Sequence, residues 1–329
     1  MPRETYTYEL SIVIVSYNTK DVLRDCLESV EREATGLNTE VFVVDNNSSD
    51  GSPLMVETEF PNVKVIRSTI NLGFGAANNL AIQAATGRYV VLLNSDAFLS
   101  PGSLRLARDH MHAHPRAALG GARLVGRDSS WQPSARMFPH IVTDAIVLTG
   151  LAAKYPKSRF FGRFDRTWAD PLQPSQTDWV PGAFSIIRAE VLQEVGPFDP
   201  RFFLYGEEVD LCRRIKKAGY EIWYWPDILV THIGGESSRN MSDVDVSGAQ
   251  VVNWRMRSTL LYYRKHHGHM AWLAKWLEVL LYRVSSLRNR FSRDPVRQAR
   301  RRTYKVFTDA MQSAWIETEG GRTSPPRPW

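Results

Sequence analysis

Over the first 125 residues, short continuous apolar runs alternate with segments of helical period. Residues 10–15 are apolar except for Ser11, the pattern of a strand buried on both faces. Thr19 is placed to cap a helix running to about Glu33, with Leu23, Leu27 and Val30 on one stripe. A second strand at 41–44 ends in Asp45-Asn46-Asn47-Ser48-Ser49-Asp50-Gly51, a dense turn signal. A short helix ending over 55–60, a strand at 63–66 and a small-residue helix at 73–85 follow. A strand at 89–93 is stopped by Asn94-Ser95-Asp96, and a helix at 102–114 leads to a further strand at 118–125. Strand–helix alternation of this kind predicts a mostly parallel sheet with helices on both faces. Such sheets bind ligands at the carboxyl ends of their strands. Three of those ends are polar here: Ser16-Tyr17-Asn18, Asp45-Asn46-Asn47 and Asn94-Ser95-Asp96.

The pattern then loosens. Residues 126–178 are rich in Pro, Arg and aromatic side chains, with one short helix expected at 140–151. Order returns at Trp179, with a helix at 189–195, a second at 207–218 and a short strand at 221–225. The polar stretch from Gly235 to about Gly248 is expected to be mobile, and the chain from Val251 is helical in pattern. The domain reading is therefore an α/β catalytic domain over 1–250, with a nucleotide-binding half at 8–125 and an acceptor half at 126–250. A helical, basic extension at 251–315 and a disordered tail at 316–329 complete it. At 329 residues, 43% hydrophobic and 23% charged, the chain is neither collagen-like, disordered nor a multi-span membrane protein. Its 2 cysteines, Cys26 and Cys212, sit in helix-like segments and read as small buried apolar residues. The net charge of +6 is unevenly spread: between Arg283 and Lys305 nine basic residues face only Asp294, which leaves the remainder near neutrality. The apolar run near the start is too short for a secretory signal, which makes the cytoplasm the expected compartment.

Several chemistries drop out. The first strand-to-helix turn, Ser16-Tyr17-Asn18-Thr19-Lys20-Asp21, has no glycine, against a dinucleotide fingerprint or a nucleotidyltransferase, and no Walker-type loop is present. In Asn94-Ser95-Asp96, side chains i and i+2 leaving a strand can converge on one divalent cation carrying a diphosphate; alone, the triplet is more often simply a turn after a strand. Glu207, Glu208 and Asp210 crowd a helix start, where they serve either the helix dipole or proton abstraction from a hydroxyl. His232, before Gly234-Gly235, reads as structural or as a further metal ligand.

Taken in order, these pieces resemble one family. They run Ser16-Tyr17-Asn18; Asp45-Asn46-Asn47-Ser48-Ser49-Asp50-Gly51-Ser52; Asn71-Leu72-Gly73-Phe74-Gly75-Ala76-Ala77-Asn78-Asn79; and Leu92-Leu93-Asn94-Ser95-Asp96. Then come Trp179-Val180-Pro181-Gly182-Ala183-Phe184, Gly196-Pro197-Phe198-Asp199, Glu207-Glu208-Val209-Asp210-Leu211 and His232-Ile233-Gly234-Gly235. The series resembles family 2 of the inverting glycosyltransferases, in its bacterial rhamnosyltransferase-like branch, over about residues 10–265.

The resemblance implies a glycosyltransferase-A fold and a nucleotide-diphosphate sugar donor. It implies that Ser16, Tyr17 and Asp45 hold base and ribose, and that Asn71 and Gly73 line the nucleotide pocket. Asn18, Asn47, Asn78, Asn94 and Ser95 complete the candidate nucleotide contacts. Asp96 matches the last acid of the metal motif and His232 a later ligand, for Mg²⁺ or Mn²⁺. Glu208 matches the catalytic base, with Glu207 and Asp210 as rivals. Trp179, Gly182, Ala183 and Phe184 match the segment under the acceptor and donor sugars. Two departures stand out: Asn94 replaces the first acid of the metal motif, and Glu208 stands where aspartate is commoner. The implied reaction is one inverting displacement, with dTDP-rhamnose as donor from the branch. The acceptor is a hydroxyl of a glycan or lipid-linked acceptor in cell-wall or surface-polysaccharide assembly. A UDP-sugar donor and an inactive nucleotide-sugar-binding scaffold are the alternatives. The Gln-x-x-Arg-Trp motif and multiple spans of processive synthases are missing, so one sugar per binding event is expected.

Between Met270 and Val284 the chain is apolar except for Lys275, Glu278 and Arg283, and the arginine-rich stretch follows. From Met270 to Lys305 this fits a helix on an anionic membrane surface, peripheral at the inner face of the cell membrane. The alternatives are a helix packed on the catalytic domain or a homodimer contact. No nucleic-acid partner is expected, because base-reading and stacking motifs are missing.

Overall fold

The computed structural model describes residues 6–234, 244–288, 290 and 294–325. The chain divides into two compact units. The first comprises Met1–Phe138, Asp165–Asp199 and Glu208–Asn240; the second comprises Pro139–Phe164, Pro200–Glu207 and Met241–Trp329.

The first unit is built on one sheet. Its strands are β1 (Tyr8–Ser16), β2 (Thr39–Asp45), β3 (Val63–Arg67), β4 (Gly87–Asn94), β5 (Ala97–Leu99), β6 (Ala117–Val125), β7 (Trp131–Gln132), β8 (Ser175–Gln176), β9 (Phe184–Arg188) and β10 (Glu221–His232). They lie in the order β3-β2-β1-β4-β9-β6-β10-β5, with β7 added beside β6 and β8 beside β10. β3, β2, β1 and β4 pair in parallel, as do β6 and β10. β9 runs antiparallel to both β4 and β6 and joins the two parallel blocks. The expected mostly parallel sheet is thus present, and it carries helices α1 (Lys20–Ala34), α2 (Ser52–Glu59), α3 (Phe74–Ala84), α4 (Ser103–Ala113), α7 (Ala189–Val195) and α8 (Glu207–Lys217). Leu10, Ile12, Val13 and Ile14 of β1 are wholly buried, each contributing roughly 1.5–3 kcal/mol.

β10 is longer than the strand expected at 221–225. Pro226 cannot donate to a ladder, which reads as a stop. The strand instead passes it through a register shift between Trp225 and Leu229 and resumes pairing with β6. Arg188, at the end of β9, is buried without a carboxylate. Its guanidinium donates to the carbonyls of Ala117, Met111 and His114, closing the C-terminal end of α4. Cys26 and Cys212 are free and buried, and burial pushes both thiols up, Cys212 to about 12.

The second unit is helical: α5 (Ile141–Leu148), α6 (Leu151–Lys154), α9 (Val244–His267), α10 (Met270–Arg288) and α11 (Pro295–Glu317). Met256, Leu260, Val279, Tyr282, Met311 and Ala314 form its core, and Leu148 packs against it. The unit therefore includes residues expected in the acceptor half: the Tyr263 hydroxyl donates to Asp144 of α5 and ties that helix in. Of the tail expected to be disordered at 316–329, residues 326–329 lie outside the described residues, and the start of it is packed. Thr318 is buried and bonds the Ala314 carbonyl, Gly321 donates to Thr318, and Arg264 donates to the Gly320 carbonyl. The polar stretch expected to be mobile lies outside the described residues at 235–243, and α9 begins at Val244.

Two carboxylates sit inside this helical unit. Burial pushes Glu278 up to about 7, against the opposing pull of Arg255, and Asp144 up to about 6. Unfolded carboxyls titrate near ~4. Between about pH 4 and pH 7 the folded unit therefore holds more protons than the unfolded chain, and stability is lost as pH rises through that window. Thermal unfolding should show a lower midpoint at about pH 8 than at about pH 5, and Glu278→Gln should shrink the difference.

Candidate active site

The parallel register brings three strand ends level. Ser16 stands opposite Asp45, and Val15 opposite Asn94. The first two ends turn through left-handed residues, Asn18 (φ 52°) and Asn47 (φ 70°), a conformation asparagine tolerates better than most. The turns are laced together: the Asn18 amide donates to Ser48 Oγ, and the Ser49 amide donates to Asn18 Oδ1. Asp45 is buried and accepts from the Ser48 amide through both oxygens at 3.3 Å. Beside them lies an open depression of about 530 Å³ lined by Asn18, Lys20, Ser49 and Asp50.

Asn46, which sequence reasoning left as a turn residue, organises the next loop. Its Nδ2 donates to Asn71 Oδ1 (2.8 Å) and to the Gly73 carbonyl, while its Oδ1 accepts from the Leu72 amide (2.8 Å). Gly73 has φ 78°, which a side chain would strain, and delivers the chain into α3. Not every predicted contact faces outward. Ser16, Thr19 and Ser95 form a buried hydroxyl chain at 3.0 and 3.1 Å, and Asn78 is spent on the Phe74 carbonyl. Tyr17, Asn18, Asn71 and Asn94 are half-buried and Asn47 is exposed.

The third strand end meets β10. β5 begins directly after Asp96 and pairs antiparallel with β10, so Ala97 faces His232. That pairing sets His232 Nε2 3.5 Å from Asp96 Oδ1 and 3.5 Å from Asn94 Nδ2. Gln132 of β7 holds the imidazole from behind: its Nε2 donates to the His232 carbonyl (2.9 Å), and its Oε1 lies 3.0 Å from Nδ1. An amide oxygen only accepts, so Nδ1 carries a proton, and in the neutral imidazole Nε2 then offers its lone pair beside the carboxylate. One carboxylate oxygen and one orientated imidazole suit a divalent cation whose other positions are filled by diphosphate and water. Among the described residues no group of three or more His, Cys, Asp or Glu gathers. Gln132 was invisible in sequence because it lies in the irregular stretch and works only through tertiary pairing.

The three clustered carboxylates have separate fates. Asp210 is wholly buried and paired with Arg214 Nε at 2.9 Å. The same guanidinium donates to the carbonyls of Val195, Gly196 and Pro197, fastening the end of α7. Glu207 is buried. Glu208 is half-buried, with Oε2 shut off from solvent, and lines a small cleft with Leu92, Val180, Gly182 and Phe198. Trp179 is buried, its indole donating to the Met137 carbonyl with the Arg136 guanidinium over its ring. Ala183 and Phe184 are buried, and the Ala183 carbonyl accepts from the Asn94 amide. Gly182 is the half-exposed member; a Cβ there would meet the Phe74 ring at 3.0 Å. In the segment expected beneath the sugars, Trp179, Ala183 and Phe184 thus brace a floor of which Gly182 is the accessible part.

The profile of glycosyl transferase family 2 matches residues 11–196, more than half of the chain. The chain belongs to that family. The transferase is 28% identical over 312 residues to the N-acetylglucosaminyl-diphospho-decaprenol L-rhamnosyltransferase of Mycobacterium tuberculosis, covering 90% of this chain and 97% of that one. It is 25% identical over 266 residues to the rhamnosyltransferase WbbL of Escherichia coli, covering 76% and 91%. A mannosyltransferase of Pyrobaculum calidifontis, solved with GDP-Man and Mn²⁺, shares the fold with a TM-score of 0.56 at 16% identity, covering 97% of this chain and 89% of that one. The glycosyltransferase-A expectation is met.

Asp210 and Glu208 are separable by measurement. Replacing Asp210 with alanine removes a wholly buried carboxylate and leaves the half-buried Arg214 guanidinium with carbonyl acceptors alone, at a cost of roughly 3 kcal/mol in unfolding free energy. Urea unfolding should show that loss. Unchanged stability together with abolished sugar transfer would instead make Asp210 a reacting group.

Proposed function

We propose that this family 2 transferase moves L-rhamnose from dTDP-L-rhamnose, with inversion, to a hydroxyl of a lipid-linked glycan at an anionic membrane surface. The observation that carries the catalytic reading is the sorting of the three carboxylates, which leaves Glu208 as the partly accessible one beside Gly182. The names of the two rhamnosyltransferase relatives support the donor, and the decaprenol-linked substrate of the mycobacterial relative supports the acceptor class.

The chemistry follows from the residues. Glu208 accepts the proton of the acceptor hydroxyl as that oxygen bonds the anomeric carbon from the face opposite the diphosphate. The bond from that carbon to the diphosphate oxygen breaks in the same displacement, so one protein carboxylate suffices. Asp96 and His232 would hold a divalent cation, Mg²⁺ or Mn²⁺, which offsets charge on the departing diphosphate. Gln132 keeps the His232 lone pair facing that position, and Asn94 adds a neutral neighbour where a second acid would add charge. The Asn46-braced loop and the Asn18 and Asn47 turns offer polar contacts to the nucleoside.

Glu208→Gln should lower kcat by about 10²–10⁴-fold while leaving the Kd for dTDP within about twofold. Parallel loss of both would remove Glu208 as base. Product anomeric configuration read by NMR, with dTDP-rhamnose and UDP-sugars offered in competition, tests inversion and donor together.

Gln132→Leu frees the imidazole to rotate and change tautomer. Mn²⁺ affinity in the presence of dTDP, followed by the EPR signal of free Mn²⁺, should fall by roughly 10–100-fold. Wild-type affinity in that variant would mean that His232 is no ligand.

A further inference from the structure

Helix α10 is built the wrong way round for water. Its one acid, Glu278, is 8% exposed, whereas Trp272, Leu273, Trp276, Leu280, Val284 and Leu287 are 41–61% exposed. At 100° per residue these six fall on one face, a stripe of about 22 Å from Trp272 to Leu287. Ala271, Ala274 and Tyr282 occupy the opposite, buried face, and Val279 is buried at the border of the stripe. The bias extends through the helical unit, which carries 14 of the 18 exposed large apolar side chains among the described residues. Water-facing stripes of this size mark a contact surface.

The exposed charge of the same two helices selects the partner. Arg283 and Arg288 are exposed on α10, and Arg297, Arg301 and Arg302 are exposed on α11. A second copy of the helix offers no carboxylate to meet them, since Glu278 points inward. Anionic lipid phosphates supply what is missing, and tryptophan favours the boundary between headgroups and acyl chains. No helix among the described residues is long and apolar enough to cross a membrane. An apolar, tryptophan-bearing stripe with Arg283 within it and Arg288 at its border is the design of a helix lying in the interface.

We propose that α10 is the membrane-docking element, lying in an anionic bilayer surface with Trp272 and Trp276 as anchors and the α10 and α11 arginines on lipid phosphates. The proposal rests on the membrane location given above and is independent of which sugar is transferred.

The test uses the full chain with phosphatidylcholine vesicles, with and without phosphatidylglycerol, and no donor sugar. Co-sedimentation should be at least about tenfold stronger on the anionic vesicles and should weaken as salt is raised. Trp272→Ser with Trp276→Ser should reduce anionic-vesicle binding by about tenfold or more, and brominated lipid should quench wild-type tryptophan fluorescence more than that of the variant. Arg297→Gln, Arg301→Gln and Arg302→Gln together replace exposed side chains and should remove most of the preference for anionic vesicles. Equal binding to both vesicle types would overturn the proposal. So would a tryptophan variant that binds vesicles like wild type, and so would one that instead converts a dimer to a monomer. Transfer to a water-soluble acceptor, measured in the same variants, should stay at the wild-type rate. Absence of transfer in wild type would count against the transferase reading and leave the vesicle result intact.

Discussion

His232 reaches Asp96 because the last strand of the sheet pairs with a three-residue strand that begins immediately after that aspartate. The candidate cation position depends on this one antiparallel contact. The first three strand ends are made level by parallel register and would be level in many α/β sheets. The histidine arrives from 136 positions further along the chain. It is useful only because β10 runs past Pro226 through its register shift and continues to residue 232. A β10 that ended at Trp225 would leave the aspartate at a strand-end turn with no imidazole. Gln132 belongs to the same construction, since β7 exists only as a two-residue pairing on β6.

Polar residues around the strand ends divide into those that hold the backbone and those left to meet a ligand. Buried polar groups must be paired, so the most buried members of a polar motif are the ones the fold consumes. Ser16, Ser95 and Thr19 satisfy one another; Asn46 satisfies a loop; Asp210 and Arg214 together close the end of α7. What remains partly exposed is smaller: Tyr17, Asn18, Asn71, Asn94, His232 and Glu208, with Asn47 fully outside. A motif is thus a mixture of chemistry and carpentry; burial marks much of the carpentry, while Asp96 is buried and still sets one oxygen beside His232.

That mixture explains what could be read from the chain. β1, β2 and β4 were legible because strands buried on both faces are written as continuous apolar runs, and α1 because Leu23, Leu27 and Val30 recur at helical spacing. β5, β7 and β8, of two or three residues, carry no periodic signal and exist through their partners. The polar ends of β1, β2 and β4 and the Glu207–Asp210 cluster were visible as residue types in order. Asn46 and Gln132 were not, because each acts on backbone or on another side chain at long range. The assignment of α5 to the helical unit was equally hidden: it turns on Tyr263 meeting Asp144, 119 positions away. The packed Thr318–Gly321 turn, expected as disordered, is held by Arg264 and by its own hydroxyl.

The orientation of α10 follows from size before polarity. Ala271 and Ala274 face the helical core, where Ala310 and Ala314 of α11 also lie, and small residues on facing helices let their axes approach closely. Rotating α10 to bury Trp272 and Trp276 would force large rings into that seam. The rotation that packs well therefore carries Glu278 inward, where burial pushes it up to about 7 and the Tyr282 hydroxyl donates to it. It also leaves the tryptophans outside. In water such a helix bears two costs at once, a desolvated carboxyl and an undesolvated apolar face. The carboxyl's cost is lessened by protonation, by Tyr282 and by the field of Arg255. Among the described residues nothing in the helical unit covers the apolar face, and a bilayer surface would offset it.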